Sequence, residues 1–222
     1  MRDPIRMTRL VISVARLIRD LRRLDRVFEI NDHIVAMRTP ADEAASIEAF
    51  ASSPAGQEAL RTRTRLGRLD LERLRAQPAE TLGGAYARFL DRHGISPESL
   101  PALPGTGELD YILTHFYETH DLWHVLTGFE ADPAGELGVQ AFLLAQYRAF
   151  LPLFVISAVL VNTALYAYDD KARRLDAIAR GWTLGRSARS LVGVDFRAHL
   201  ARPLAEVRRD FGLAPVSEAG AA

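Results

Sequence analysis

The chain has no cysteine among its 222 residues, which removes disulfides, thiolate nucleophiles and sulfur-ligated zinc or iron–sulfur sites from consideration. Any metal it holds must sit on nitrogen and oxygen. It has no net charge either: 28 basic and 28 acidic side chains cancel, so no global field draws a polyanion, and nucleic acid is not an expected partner. Lysine is nearly missing, Lys171 being the only one, and the arginines are spread over every segment rather than gathered into a phosphate-binding patch. No strand pattern, repeat or low-complexity segment interrupts the chain. The N-terminal stretch "MRDPIRMTRLVISVARLIRDLRRLDRVF" lacks the form of a signal peptide, because Arg16 breaks its apolar run. A cytoplasmic location is the resulting expectation.

What is present is helical periodicity. Between Thr8 and Phe28, Leu10, Val14, Leu17, Ile18, Leu21, Leu24 and Phe28 recur at helical spacing, and arginines fill the rest, predicting one basic amphipathic helix. Such a helix docks on a core with its arginines solvated, or lies on anionic lipid. Thr39 and Pro40 start a second helix, "SPAGQEALRTR" a third, and "LDLERLRAQP" and "TLGGAYARFLDRHG" follow, the last ending at Gly94. A proline-rich loop leads to a helix from Glu108 to Phe129. Asp132 and Pro133 reset the chain for a long helical pattern toward Tyr168, and further helices complete it.

The fold class expected is therefore all-α: a single multi-helix domain over residues 1–213, with a flexible tail at 214–222. One stretch, "AFLPLFVISAVLVNTALYAY" from Ala149 to Tyr168, carries no charge and approaches the ~20 residues of a membrane span. Pro152 and the Asn162–Thr163 pair argue against spanning, and a helix apolar on all sides suits the middle of a helical core. A long, buried central helix is the expectation.

The chemistry concentrates in "YETHDLWHVLTGF", residues 117–129. On a helix, His120 and His124 lie about 40° apart, with Asp121 within an arc of about 100°. Tyr117 continues the same face. Glu136 follows past the turn, in the first turn of the next helix, and an antiparallel pairing would return its carboxylate to the histidines. Two imidazoles with one or two carboxylates suit a divalent metal, zinc or iron. The plain alternative is a pair of histidines hydrogen-bonded to backbone beside solvated acids; the neighbouring aspartate and the glutamate across the turn favour metal.

Three chemistries compete for such a centre. A zincin protease needs glutamate where Asp121 stands. A carboxylate-bridged di-iron bundle needs a Glu-x-x-His on each of two helices, which is missing. An HD-type phosphohydrolase would use the His120–Asp121 doublet with His93 or His115 and Asp169 or Asp170, and survives as the enzymatic alternative.

"HDLWH", eleven residues and then Glu136 resemble the H-D-x-x-H-(eleven)-E pattern of the Coq-four family of coenzyme Q (ubiquinone) biosynthesis proteins. The blocks "TLGGAYARFLDRHGISPE", "HDLWHVLTGFEADPAGELGVQAF", "GWTLGRSARSLVGVDF" and "RPLAEVRRDFG" resemble that family's blocks in order, from about Leu69 to Gly212. The resemblance implies an all-helical protein peripheral to the membrane where ubiquinone is made. It implies a metal, zinc first with iron or magnesium as alternatives, bound by His120, Asp121, His124 and Glu136. It further implies metal-dependent oxidative decarboxylation of a polyprenylated 4-hydroxybenzoate at the membrane surface, or a non-catalytic lipid-binding scaffold for the other ubiquinone biosynthesis enzymes. A homodimer is allowed. Asp121 is then a fourth ligand or a group orienting an imidazole. Tyr117, Arg148 and Arg186 are candidate contacts to the substrate, against plainer roles as a buried tyrosine and surface arginines. The uncharged 149–168 segment departs from the family's small, Gly/Pro character there.

Overall fold

A computed structural model describes residues 4–21, 25–96, 106–147 and 150–213. Among these the chain is all helical, with no strand and one isolated bridge, between Thr81 and Pro203. The tail at 214–222 lies outside the described residues.

The basic N-terminal segment makes two helices instead of one, α1 (Pro4–Arg19) and α2 (Asp25–Val35). Its apolar spacing runs on without a break, but the backbone stops at Asp20, whose N–H reaches the carbonyls of both Arg16 and Leu17. Asn162 holds that end by donating to the Ile18 carbonyl at 2.6 Å. Leu17 then packs in one cluster with Ile30 and Ile34. In a single straight helix Leu17 and Ile30 would stand about 20 Å apart.

The next four helices each begin on a capping side chain, the first at the Thr39 expected from the sequence. Thr39, Ser53, Asp70 and Thr81 accept backbone N–H bonds at the starts of α3 (Pro40–Phe50), α4 (Pro54–Thr62), α5 (Leu71–Arg75) and α6 (Leu82–His93). At α3 the cap is reciprocal, because Asp42 also takes the Thr39 N–H at 2.9 Å.

Helix α7 (Glu108–Thr127) ends at Gly128, whose φ of 72° is the left-handed turn that glycine adopts without strain. Asp132 restarts the chain by accepting the N–H groups of Ala134 and Gly135, opening α8 (Pro133–Gln146). This short turn folds α8 back along α7. Trp123 is buried between Phe116 and Phe142, in edge contact with both rings. The second long pair is α8 with α10 (Lys171–Ser187), and glycine sets its spacing: a Cβ on Gly181 would stand 2.1 Å from the Gly138 carbonyl oxygen. Helix α11 (Leu204–Asp210) closes the chain, and Arg208 donates to the carbonyls of Val125 and Leu126 in the last turn of α7.

The uncharged stretch corrects the expectation made for it. Helix α9 (Phe150–Tyr166) is apolar, but it is not the buried centre, a place taken by α7 and α8. Its inner side packs Val155 and Val159 against Leu137 and Ala141. Its outer side leaves Phe150, Leu153, Val161 and Leu165 between 44% and 64% exposed. Among the described residues no helix is long and apolar enough to cross a membrane. The Asn162–Thr163 pair has a definite task, because Asn162 Oδ1 and Thr163 Oγ1 accept from the buried Arg174 guanidinium at 3.0 and 2.9 Å.

Candidate metal centre

The turn at Gly128–Asp132 performs the return that the sequence predicts. His124 Nε2 lies 3.3 Å from Glu136 Oε1, and His120 Nε2 lies 3.6 Å from Glu136 Oε2. One ligand atom from each of the three falls within 4.8 Å of the others, a grouping that could hold a metal ion. Two helices supply it: one turn of α7 presents the imidazoles, and the first turn of α8 presents the carboxylate.

The hydrogen bonding fits a cation. His124 is fully buried, and its Nδ1 lies 3.1 Å from the Phe129 carbonyl oxygen, which can only accept. The proton therefore sits on Nδ1, and Nε2 presents a lone pair. That Nε2 is a buried atom with no hydrogen-bond partner, although a carboxylate oxygen stands beside it. Two lone pairs facing each other in a buried place repel unless a proton or a metal ion comes between them.

The charges of the centre are strongly coupled. Burial disfavours a protonated His120, but the neighbouring Glu136 and Asp121 outweigh it and push its pKa up to about 9. Burial raises the Glu136 carboxyl, and the two imidazoles overcome this and bring it down to about 2. Asp121 stands apart from the three-residue group, with Oδ1 3.4 Å from His120 Nδ1, placed to orient that ring.

Side chains of α6 complete the surroundings. Phe89 stacks on the His124 ring at 5.5 Å, and Tyr86 is buried with its hydroxyl pushed upward, first by burial and then by the charge of Asp121. The sequence reading left both out, although they share a helical face with Leu90 and His93 in "AYARFLDRH", a spacing visible in advance.

Other expected residues fall elsewhere. Tyr117 lies one turn before His120, half-buried, and accepts from Asn31 Nδ2 at 2.6 Å. Arg186 is exposed on α10, which matches a surface arginine. Arg148 lies outside the described residues. The residues needed for a phosphohydrolase do not gather: His93 bonds Glu130, His115 accepts from Gly193 in the core, and Asp170 pairs with Arg173 and Arg174. Asp169 is likewise absent from the His120 group.

Fold and site thus define an all-helical protein with a two-histidine, one-glutamate cluster at a helical hairpin. Residues 35–217 match the family model of the coenzyme Q (ubiquinone) biosynthesis protein Coq4, and the chain belongs to that family. The mitochondrial ubiquinone biosynthesis protein coq4 of Botryotinia fuckeliana is 32% identical over 172 residues, covering 75% of this chain and 60% of that protein. The corresponding protein of Lodderomyces elongisporus is 30% identical over 199 residues, covering 83% of this chain and 52% of its own length. The chain thus spans between half and two thirds of the length of these curated relatives. A crystal structure from Nostoc punctiforme, of a protein provisionally named for ubiquinone biosynthesis, shares the fold with a TM-score of 0.80, 23% identity, and coverage of 94% of this chain and 98% of that one. The fungal relatives are named mitochondrial, which gives no support to the cytoplasmic location expected above.

Proposed function

We propose that the chain binds a divalent metal, zinc before iron or magnesium, through His120, His124 and Glu136, and acts in the oxidative decarboxylation of a polyprenylated 4-hydroxybenzoate. The observation that carries the metal reading is the unpartnered His124 Nε2 facing Glu136 Oε1 at 3.3 Å. When bound, the ion supplies Lewis acidity toward oxygens of the substrate's head group. The chain's own residues do the rest. Phe129 and Asp121 orient the two imidazoles, Phe89 covers one face of His124, and buried Trp123 and Leu126 help keep water from that side of the helix.

The choice of substrate rests on family membership. The exposed apolar side of α9, together with Ile5, Val11 and Ile12 and the exposed arginines Arg9, Arg16 and Arg19 of α1, suits a lipid surface. Peripheral attachment to a membrane and contact with other ubiquinone biosynthesis enzymes belong to this proposal, as does the chain's division into one helical domain and a tail. That same surface favours the second reading, a lipid-presenting scaffold whose metal positions the ligand.

Metal analysis of the purified chain, followed by incubation with a prenylated 4-hydroxybenzoate and detection of the decarboxylated product, separates the two. Turnover by wild type and its loss in His120→Ala support the enzyme. No turnover by metal-replete wild type, with lipid binding retained, leaves the scaffold.

A further inference from the structure

Outside the His120–His124–Glu136 cluster, α1, α9 and α10 meet around a cavity of about 430 Å³, whose lining includes Arg19, Asp20, Asn162, Tyr166, Ala167 and Arg174. Helix α1 ends at Arg19 and α9 at Tyr166, and Asn162 ties these ends together by donating to the Ile18 carbonyl at 2.6 Å. Its amide oxygen in turn accepts from Arg174, in the first turn of α10, at 3.0 Å. Each of the three helices thus brings a polar side chain to one place.

Arg174 is only 5% exposed, a rare position for a guanidinium. Asp170 accepts from its Nε, and Asn162 and Thr163 accept from its Nη1. Among the described residues its Nη2 makes no hydrogen bond, and this nitrogen is not sealed in the interior, because the side chain lines the cavity. Asp170 is shared as well, since it also takes Arg173 at 2.8 Å. Arg19 adds a second guanidinium to the lining, exposed and without an ion pair among the described residues. Asp20, the acid of the lining, already has a partner. Two guanidiniums at one cavity suit an anion with several oxygens, and phosphate matches their planar forks.

The neighbouring surface decides what the phosphate is attached to. Val161 and Leu165 directly precede the lining residues Asn162 and Tyr166, about 100° round the helix from them, and both are exposed. Leu153 and Phe150 continue that exposed apolar side of α9. Tyr166 places a half-polar ring where the cavity meets it, the position tyrosine favours between water and hydrocarbon. A free phosphate has no use for this stripe, whereas acyl chains can lie along it. We propose that the cavity is a head-group site for an anionic glycerophospholipid, with the phosphodiester held by Arg174 Nη2 and Arg19 and the chains on the outer side of α9. Its ligand is a lipid of the membrane itself, distinct from the molecule that meets the His120 centre. The inference rests on reading the chain as peripheral to a membrane, and it adds which lipid the chain selects there.

Arg174 is a buried link between helices, so the test replaces the exposed Arg19 and the half-buried Ala167 instead. Dihexanoyl phosphatidylglycerol, soluble as a monomer, is titrated into the purified chain by calorimetry, beside dihexanoyl phosphatidylcholine and inorganic phosphate. Wild type should bind the glycerol lipid at one site, at least about tenfold more tightly than the other two, the usual size of a charge-assisted hydrogen bond. Arg19→Gln removes one cation, and Ala167→Leu fills the cavity without changing charge. Each should weaken binding about tenfold or more at an unchanged thermal midpoint. Arg68→Gln, the same charge change at an exposed position outside the lining, should leave binding as it is. No binding of the glycerol lipid, equal binding of the choline lipid, tighter binding of inorganic phosphate, full binding by Ala167→Leu, or equal losses in Arg68→Gln and Arg19→Gln would each overturn the proposal. Flotation with vesicles of phosphatidylcholine, with and without phosphatidylglycerol, tests the membrane reading separately. Wild type that binds the short lipid at one site but floats with neither vesicle supports the site and overturns the membrane attachment.

Discussion

The Nδ1 of His124 meets the carbonyl oxygen of Phe129, five residues further on, at 3.1 Å, across the left-handed glycine at 128. The turn that brings Glu136 back is therefore also the turn that sets the tautomer of the histidine Glu136 faces. Replacing Gly128 with alanine places a Cβ at a φ of 72°, at a cost of about 1–2 kcal/mol. Gly128→Ala should lower metal affinity roughly 10- to 100-fold, the usual penalty for disturbing an outer-shell partner, while the helical circular dichroism stays. Unchanged affinity by competition with a chelator would show that the Phe129 carbonyl is not needed.

Asp121 and Glu136 should separate cleanly in metal analysis. Glu136→Gln removes an anionic ligand, and the purified protein should carry little metal. Asp121→Asn leaves the three-ligand group intact and should keep its metal, with affinity reduced about tenfold or more by the looser His120 ring. Equal losses in the two variants would make Asp121 a fourth ligand.

Stability should fall on acidification through a histidine outside the His120–His124–Glu136 cluster. His115 is buried, accepts the Gly193 N–H at 3.1 Å, and is held by burial at about 4 instead of 6.5. Between those values the unfolded chain takes up a proton that the folded chain refuses, so acid favours unfolding. The contribution is complete above about pH 6.5, shrinks as pH falls, and is gone near pH 4. Between pH 7 and pH 5 it amounts to about 2 kcal/mol. Urea melts at the two pH values should show that difference, and His115→Gln, which keeps an acceptor for Gly193, should flatten it. An equally steep fall in the variant would place the effect elsewhere.

Much of this architecture is legible in the sequence because its signals are local. Thr39 with Asp42, Ser53, Thr81 and Asp132 act within one turn of where they stand, so the helix starts can be read directly. The His120–His124–Glu136 cluster is legible for the same reason, since helix spacing aligns the two histidines and a single turn returns the glutamate. The break after Arg19 is hidden because the apolar spacing continues through it, and the bond that marks it comes from Asn162, 144 positions away from Ile18. An uncharged run such as 150–166 has no polar face to give its orientation, so its exposed side shows only once α8 is in place. Asn31 reaches Tyr117 from 86 positions upstream, and no spacing rule connects them.

The contact between α8 and α10 should tolerate no side chain. Gly181→Ala would set a methyl 2.1 Å from the Gly138 carbonyl oxygen, a backbone atom that cannot turn aside. The helices must part, at a cost of about 1–3 kcal/mol. A lowered midpoint in urea, with the slope unchanged, is the expected reading. A neutral result would mean that α10 shifts on α8 without loss.

All three clustered residues fall within positions 120–136, and a single turn joins the helices that carry them. Closing so short a loop costs little chain entropy, and the cost of closure rises only with the logarithm of length. The turn between α7 and α8 is therefore an inexpensive loop to close, and an ion held by these residues would tie the two helices together across it. Such an ion would then serve as a clasp of the hairpin as well as a centre for chemistry.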